Sequence, residues 1–261
     1  MGQRTALVTG AAHRLGKAIA LDLAAQGYDV AVHYNGSEEA AQAVALRIRE
    51  MGRSAITLQA DLTQEAEVQR LVPAAVEGLG APLLCLVNNA SLFDRDDIWT
   101  ATRDSWDRHM ECNLRAPFVL SQGFAAQVPD PLPDRHGEPV AQGLIVNMLD
   151  QAVQKLTPNF MTYLLSKTGL WTLTQTMAQA LAPRVRVNGI GPGPTLKNAR
   201  QDEAAFRKLR RLTVLERGTD PDDVLATLRY FLSTPAVTGQ LICPDGGQRL
   251  AWKTPDIQWE L

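Results

Sequence analysis

Short, almost uninterrupted apolar runs alternate along the chain with longer stretches whose apolar residues recur every three or four positions. The short runs are "TALVTG", "DVAVHY", "SAITLQA", "LLCLVNNA", "GLIVNML", "RVRVNGIG" and "QLICPDGG". Their lack of polar alternation predicts strands covered on both faces. Most of the stretches between them predict helices. One spans roughly 15–26 and is closed by Gly27; the next has Ser37 as its N-cap, Glu38 and Glu39 in its positive first turn and Gly52 at its end. "TYLLSKTGLWTLTQTMAQAL" predicts a further helix. Alternating β and α units of this kind imply an α/β fold: a doubly wound parallel sheet of about seven strands, with right-handed crossovers and helices on both faces. At 261 residues, one large domain spanning 1–261 is the economical reading.

Three segments break the pattern. "VPDPLPDRHGEPVAQG" (128–143) is rich in Pro, Asp and Gly and predicts a surface loop. "PTLKNARQDEAAFRKLRRL" (194–212) carries six Lys or Arg. Two readings of it stand open: a solvated helical excursion, or a flap over a ligand, since it leaves the carboxyl edge of the sheet where open α/β folds bind ligands. The tail 251–261, with Trp252 and Trp259, is too hydrophobic to dangle and suits packing against another surface.

Composition narrows the function classes. A net charge of −2 gives no reason to expect nucleic acid or an anionic membrane as partner. No apolar run approaches the ~20 residues needed to cross a bilayer, and the N-terminus runs into a strand with no room for a signal peptide. Cys85, Cys112 and Cys243 lie far apart and read as reduced, structural thiols, so a cytoplasmic protein is expected. The four histidines have no metal-ligand spacing, and no metal is expected.

"TGAAHRLG" joins the first strand to the first helix. Gly10 and Gly16 let the backbone turn tightly and approach a phosphate, and the helix N-terminus offers free N–H donors. The expected ligand is a dinucleotide on a Rossmann-type sheet, held by Gly10, Arg14, Leu15 and Gly16. The second strand then ends in His33, Tyr34, Asn35 and Ser37, with no acid before Glu38. A carboxylate there would accept from a ribose 2′-hydroxyl; Arg14, Asn35 and Ser37 can instead donate to a 2′-phosphate, which favours NADP(H). At the next two strand ends, Asp61 and Leu62 of "ADL" fall where the adenine would lie, and Asn89 and Ala90 of "NNA" where the adenosine ribose would lie.

Tyr163 and Lys167 are four apart on a predicted helix, so both side chains share a face and the ammonium is expected to lower the phenol's pKa. A phenol so tuned can donate a proton near neutral pH. Asn113 lies in the preceding predicted helix. With TGAAHRLG, ADL, NNA, the YLLSK motif, "RVNGIGPGP" and the late "PDGG", the chain resembles the short-chain dehydrogenases/reductases over essentially its whole length. The resemblance implies that Tyr163 is the acid/base, that Lys167 binds the nicotinamide ribose and that Asn113 holds a proton-relay water. It also implies that Pro192, Gly193 and Thr195 contact the nicotinamide, and that a homotetramer is common.

Asp150 departs from the family pattern, which usually has Ser thirteen residues before the tyrosine. An ionised Asp cannot donate to a developing alkoxide. Within the family, the pteridine reductases share this Asp, the Arg in the glycine loop, a "VHY…S" strand end and "NNAS.F". This likeness places Phe93 in a stack on the pterin, with Ser91 and Gly193 beside it, and Asp150 with Tyr163 at the proton transfer. The reading is therefore an NADPH-dependent pterin reductase acting on a dihydropterin or dihydrofolate, with a general carbonyl or 3-oxoacyl-thioester reductase as the alternative. A catalytically inactive nucleotide-binding protein would be expected to have lost Tyr163, Lys167 or Asn113, and all three are present.

Overall fold

A computed structural model describes residues 2–197 and 202–252. Its strands are β1 (Arg4–Val8), β2 (Tyr28–Tyr34), β3 (Ala55–Gln59), β4 (Cys85–Asn88), a short pair β5 (Leu132–Pro133) and β6 (Pro139–Val140), then β7 (Gly143–Met148), β8 (Val185–Ile190) and β9 (Leu241–Ile242). The main sheet has seven strands in the order β3-β2-β1-β4-β7-β8-β9. Every pairing in it is parallel, as with Val8 beside both Val32 and Val87. The expected Rossmann-type architecture is borne out.

The helices are α1 (Arg14–Ala25), α2 (Glu38–Glu50), α3 (Glu65–Leu79), α4 (Arg103–Met110), α5 (Ala116–Gln127), α6 (Met161–Ala180), α7 (Glu203–Arg211) and α8 (Pro221–Ser233). They form two apolar layers. Ala6, Val8 and Val32 pack on one face against Ile19 and Leu23 of α1, Ile48 of α2 and Phe231 of α8. Leu7, Leu86 and Val187 pack on the other against Leu71 of α3, Phe124 of α5 and Met177 of α6. Successive residues of β1 thus enter different cores, which is why the strands read as unbroken apolar runs. Cys85 and Cys112 are buried free thiols, and burial pushes the Cys85 thiol up to about 12.

Several local expectations are refined. Ser37 occupies the N-cap position of α2, but its side chain accepts no capping hydrogen bond. The 128–143 loop contains the antiparallel β5–β6 pair rather than irregular chain alone. The 194–212 segment contains α7, as the reading of a helical excursion has it, while Phe206 and Leu209 of that helix line the cavity described below. Trp252 is described, whereas Trp259 lies outside the described residues. Between α4 and α5 the chain makes one π-helical turn, Glu111–Arg115, where Asn113 is buried. Such a turn holds an extra residue in the helix and re-aims the side chains on it. No helix among the described residues is long and apolar enough to cross a membrane.

Candidate active site

The carboxyl ends of β1, β4, β7 and β8 open into a cavity of about 740 Å³. It lies where the strand order reverses beside β1, the place at which open α/β sheets form a ligand crevice.

One wall is the glycine turn after β1. Thr9 Oγ1 accepts the amides of Asn89 (2.9 Å) and Ala90 (3.0 Å), and Asn89 Nδ2 donates to Thr9 O at 2.8 Å. Gly10 has φ +62°, and a Cβ at Gly16 would lie 2.1 Å from Gly10 O. Neither position tolerates a larger residue without rearrangement. Across the cavity, a Cβ at Gly193 would meet Asp245 Cα at 2.7 Å. A glycine cradle at the start of α1, facing a second close backbone approach, fits a dinucleotide phosphate bridge. Of the residues expected to contact the cofactor, Gly10, Leu15, Gly16, Asn89, Ala90, Pro192, Gly193 and Thr195 line this cavity.

The end of β2 serves the site indirectly. His33 is 2% exposed; its Nδ1 accepts the Gly10 amide at 3.0 Å and its Nε2 lies 3.1 Å from Ala60 O. The imidazole is therefore neutral with Nε2–H donating. Burial lowers its pKa to about 4, against a smaller upward pull from the Ala60 carbonyl. Its place is beneath the glycine turn, and neither ring nitrogen is free for a ligand. Tyr34 is half-buried and Asn35 exposed, while Leu62 is buried. Asp61 Oδ1 accepts from both the amide (2.9 Å) and hydroxyl (2.8 Å) of Thr63. His33, Tyr34, Asn35, Ser37, Asp61 and Leu62 lie outside the residues lining the cavity. Arg14 is exposed, and its guanidinium donates to Leu196 O (2.9 Å) and Lys197 O (2.8 Å). It ties the glycine turn to the 194–212 segment, whose Phe206 and Leu209 also line the cavity.

Asp150 and Tyr163 stand at the other end of the cavity. Tyr163 Oη donates to Asp150 Oδ2 at 2.8 Å, while Asp150 Oδ1 accepts the Ala152 amide at 2.8 Å. Lys167 Nζ donates to Met148 O at 2.7 Å and lies 5.8 Å from the centre of the Tyr163 ring. The expected lowering of the phenol by this ammonium does not occur. Burial pushes the Tyr163 phenol well above its usual value, and the Asp150 charge and hydrogen bond push it further. Burial also lowers Lys167 to about 8, with Asp150 opposing. Spacing alone carried neither desolvation nor the facing carboxylate.

Asn113 is fully buried. Its Oδ1 accepts from the Leu92 amide (2.8 Å) and Ser91 Oγ (3.2 Å), and its Nδ2 donates to Leu92 O (3.0 Å) and Ser166 Oγ (3.1 Å). Its side chain clamps the Ser91–Leu92 stretch beyond β4 to α6. Phe93 is 43% exposed and stacks on Phe160, with ring centres 4.5 Å apart and planes 9° apart; it also meets Tyr163 edge-on at 4.7 Å. Phe160 was missed in the sequence, because nothing local marks a residue that begins α6 with a left-handed φ of 58°.

Fold and site together define a dinucleotide-dependent oxidoreductase. The model of the short chain dehydrogenases matches residues 4–208. The chain is 32% identical over 250 residues to the 3-oxoacyl-[acyl-carrier-protein] reductase FabG of Staphylococcus epidermidis, covering 94% of this chain and 98% of that one. Its structure is similar to that of FolM alternative dihydrofolate reductase 1 from Brucella canis complexed with NADP (TM-score 0.88, 42% identity, 98% of each chain). The FolM protein of Brucella suis, also in complex with NADP, is similar at TM-score 0.90 and 44% identity, over 97% of this chain and 98% of that one. The chain belongs to the short-chain dehydrogenase family.

The buried His33 gives a pH prediction. An unfolded imidazole takes up its proton near 6.5, the folded one only near 4. Between those values acid therefore favours unfolding, with a slope approaching about 1.4 kcal/mol per pH unit. Urea denaturation of wild type and His33→Gln from pH 7 to 4.5 should show wild type losing stability faster as pH falls. Parallel losses would mean that His33 is not held neutral.

Proposed function

We propose that this chain is an NADPH-dependent reductase of a pterin-type substrate, a dihydropterin or dihydrofolate. The observation that carries this reading is the Tyr163–Asp150 hydrogen bond of 2.8 Å at the floor of the cavity. Two of the similar structures are named as dihydrofolate reductases and hold NADP, which supports both halves of it.

The NADP(H) preference rests on the end of β2, where no carboxylate precedes Glu38 to repel a 2′-phosphate. Arg14 stands at the glycine turn with a guanidinium that can turn from the Leu196 and Lys197 carbonyls toward such a phosphate. A bound reduced nicotinamide supplies the hydride. Lys167 holds its ammonium beneath the Tyr163 ring, engaged with the Met148 carbonyl, and its role in this reading is to donate to the nicotinamide ribose, as the family resemblance implies.

Phe93 offers a flat aromatic surface backed by Phe160, suited to a flat heterocycle. Hydride addition to a ring C=N leaves the electron pair on nitrogen, a site basic enough to take a proton even from a phenol with a raised pKa. Tyr163 supplies that proton, forming the N–H bond as its O–H breaks. Asp150 orients the hydroxyl, and the Lys167 ammonium offsets the negative charge left behind. A carbonyl substrate fares worse. Asp150 can only accept hydrogen bonds when ionised, so it gives a developing alkoxide no donor and repels it. This is the ground for preferring pterin reduction to the 3-oxoacyl reduction that the FabG relative's name describes.

NADPH should be preferred over NADH by at least roughly tenfold in kcat/KM, about 1.4 kcal/mol. Arg14→Ala should lower NADPH use more than NADH use, and equal use of the two by wild type would contradict the assignment.

Tyr163→Phe should lower kcat for the dihydropterin by roughly 10²-fold or more while NADPH still binds. A near-wild-type rate would place the proton donor elsewhere.

Asp150→Ser restores the hydroxyl that a carbonyl wants and removes the charge, so pterin reduction should fall while activity on an activated ketone holds or rises. Asp150→Asn keeps the shape and should also lose pterin reduction. The measurement is the ratio of kcat/KM for dihydropterin to that for ketone in all three proteins; an unchanged ratio in Asp150→Ser would make Asp150 a bystander.

A further inference from the structure

Gln151 follows the catalytic carboxylate, lines the same cavity and is 9% exposed. Its Oε1 is one of the few buried side-chain polar atoms with no hydrogen-bond partner among the described residues. The others have bonded neighbours within the same group. Asn88 Nδ2 donates to Asn147 Oδ1, and the guanidiniums of Arg53, Arg184 and Arg186 reach Asp29, Asp130 and the Thr234 carbonyl through other nitrogens or at longer range. Among the described residues neither atom of the Gln151 carboxamide has a hydrogen-bond partner, and its oxygen is the buried one. A buried amide left in this state costs free energy, and such a group calls for a specific explanation.

The backbone offers no room to relieve it by retreat. Asp150 caps the one-turn helix Gln151–Gln154 through the Ala152 amide, and a Cβ on the facing Gly191 would already lie 3.2 Å from the Gln151 nitrogen. The segment is fixed at its main chain and unsatisfied only at its side-chain tip. The last torsion of a glutamine is soft and two-fold, so the tip can present its oxygen, its NH₂ or both to the cavity.

We propose that Gln151 is a substrate-orienting residue, whose carboxamide pairs with a hydrogen-bonding edge carrying a donor and an acceptor side by side on the heterocyclic substrate. The proposal rests on the pterin reading above and deepens it. A carboxamide matches such an edge with two parallel hydrogen bonds, as glutamine does with the edge of adenine. An amide-like or amino-imine edge of a pterin has this pattern and a simple ketone does not. Gln151 thereby separates the two substrate classes independently of the proton step at Asp150 and Tyr163.

The test uses the full chain with NADPH, a 7,8-dihydropterin and an activated ketone. Gln151→Leu keeps the bulk and removes both hydrogen-bonding atoms. It should raise KM for the dihydropterin about tenfold or more, with kcat within about threefold, and leave the ketone KM, the NADPH Kd and the melting temperature near wild type. Gln151→Glu keeps the shape, loses the donor and should also raise the dihydropterin KM; it decides the matter if the Leu variant does not fold. A dihydropterin KM unchanged in the folded variants would overturn the proposal, as would equal losses on ketone and dihydropterin. A wild type that does not turn over dihydropterin would overturn the pterin reading and this proposal with it, whereas an active wild type with unaffected variants overturns this proposal alone.

Discussion

Both faces of the main sheet must be covered, and the position of everything else follows from that constraint. Because strands β1, β4, β7 and β8 lie between two apolar layers, they have no exposed face on which to display chemistry. Polar function is driven to their carboxyl ends, and the reversal of strand order beside β1 separates the loops there into a crevice. The same constraint explains why the glycine turn needs support from below. A loop that leaves a buried strand carries amides that must find partners. Thr9 Oγ1 and His33 Nδ1 accept such amides and Asn89 Nδ2 donates to the Thr9 carbonyl, so that the backbone facing the cavity is set largely from below.

The catalytic end is held by a second buried arrangement. Asp96 is 5% exposed and accepts from the Thr162 amide, the Thr162 hydroxyl and Ser105 Oγ. Burial alone would raise its carboxyl, but these hydrogen bonds outweigh it and keep the group below its usual value. An ionised acid at the start of α6 meets the positive end of the helix. It replaces the cap that Phe160 cannot supply, and its backbone carbonyl accepts the Phe160 amide at 2.7 Å. His109 completes the chain, with Nδ1 2.7 Å from Thr162 Oγ1 and Nε2 accepting the Asp94 amide. Tyr163 follows Thr162 directly. The left-handed backbone of Phe160, costing about 1–3 kcal/mol, is therefore held in place by contacts at the residue next to Tyr163.

Much of the architecture was legible because burial on both faces writes itself as residue type. The seven main strands, the glycine turn and the Tyr163–Lys167 pair all rest on local patterns of composition or spacing. The interior partnerships were not legible, since they join residues far apart in the chain. His33 looked like part of a cofactor contact from its place at a strand end; only the fold shows Gly10 and Ala60 closing on its ring. Asp96 and His109 sit in stretches with no recognisable motif. Gln151 has no signal beyond standing next to Asp150, because an unsatisfied amide is defined by what fails to surround it. The phenol's raised pKa follows the same logic: four-residue spacing brought Lys167 near, but the depth of the site decided the sign.

Overall identity and substrate choice draw on different parts of this molecule. The sheet with its covering helices accounts for most of the chain, and the glycine turn and the Tyr163–Lys167 pair stand at its carboxyl edge. Proteins named for different substrates are similar to this chain over nearly its whole length, as the FabG and FolM proteins illustrate. What separates a ketone from a ring imine is the polarity of a few groups around the reacting bond. With Ser at position 150, the floor would add a donor where oxygen gathers charge. With Asp there, the floor holds an acceptor already engaged with the phenol at 2.8 Å and with the Ala152 amide. A substrate that ends as N–H suits that floor, because nitrogen takes the phenol's proton and no oxyanion has to be stabilised. On the proposed pterin reading, the single carboxylate therefore constrains the substrate more tightly than the rest of the shared fold.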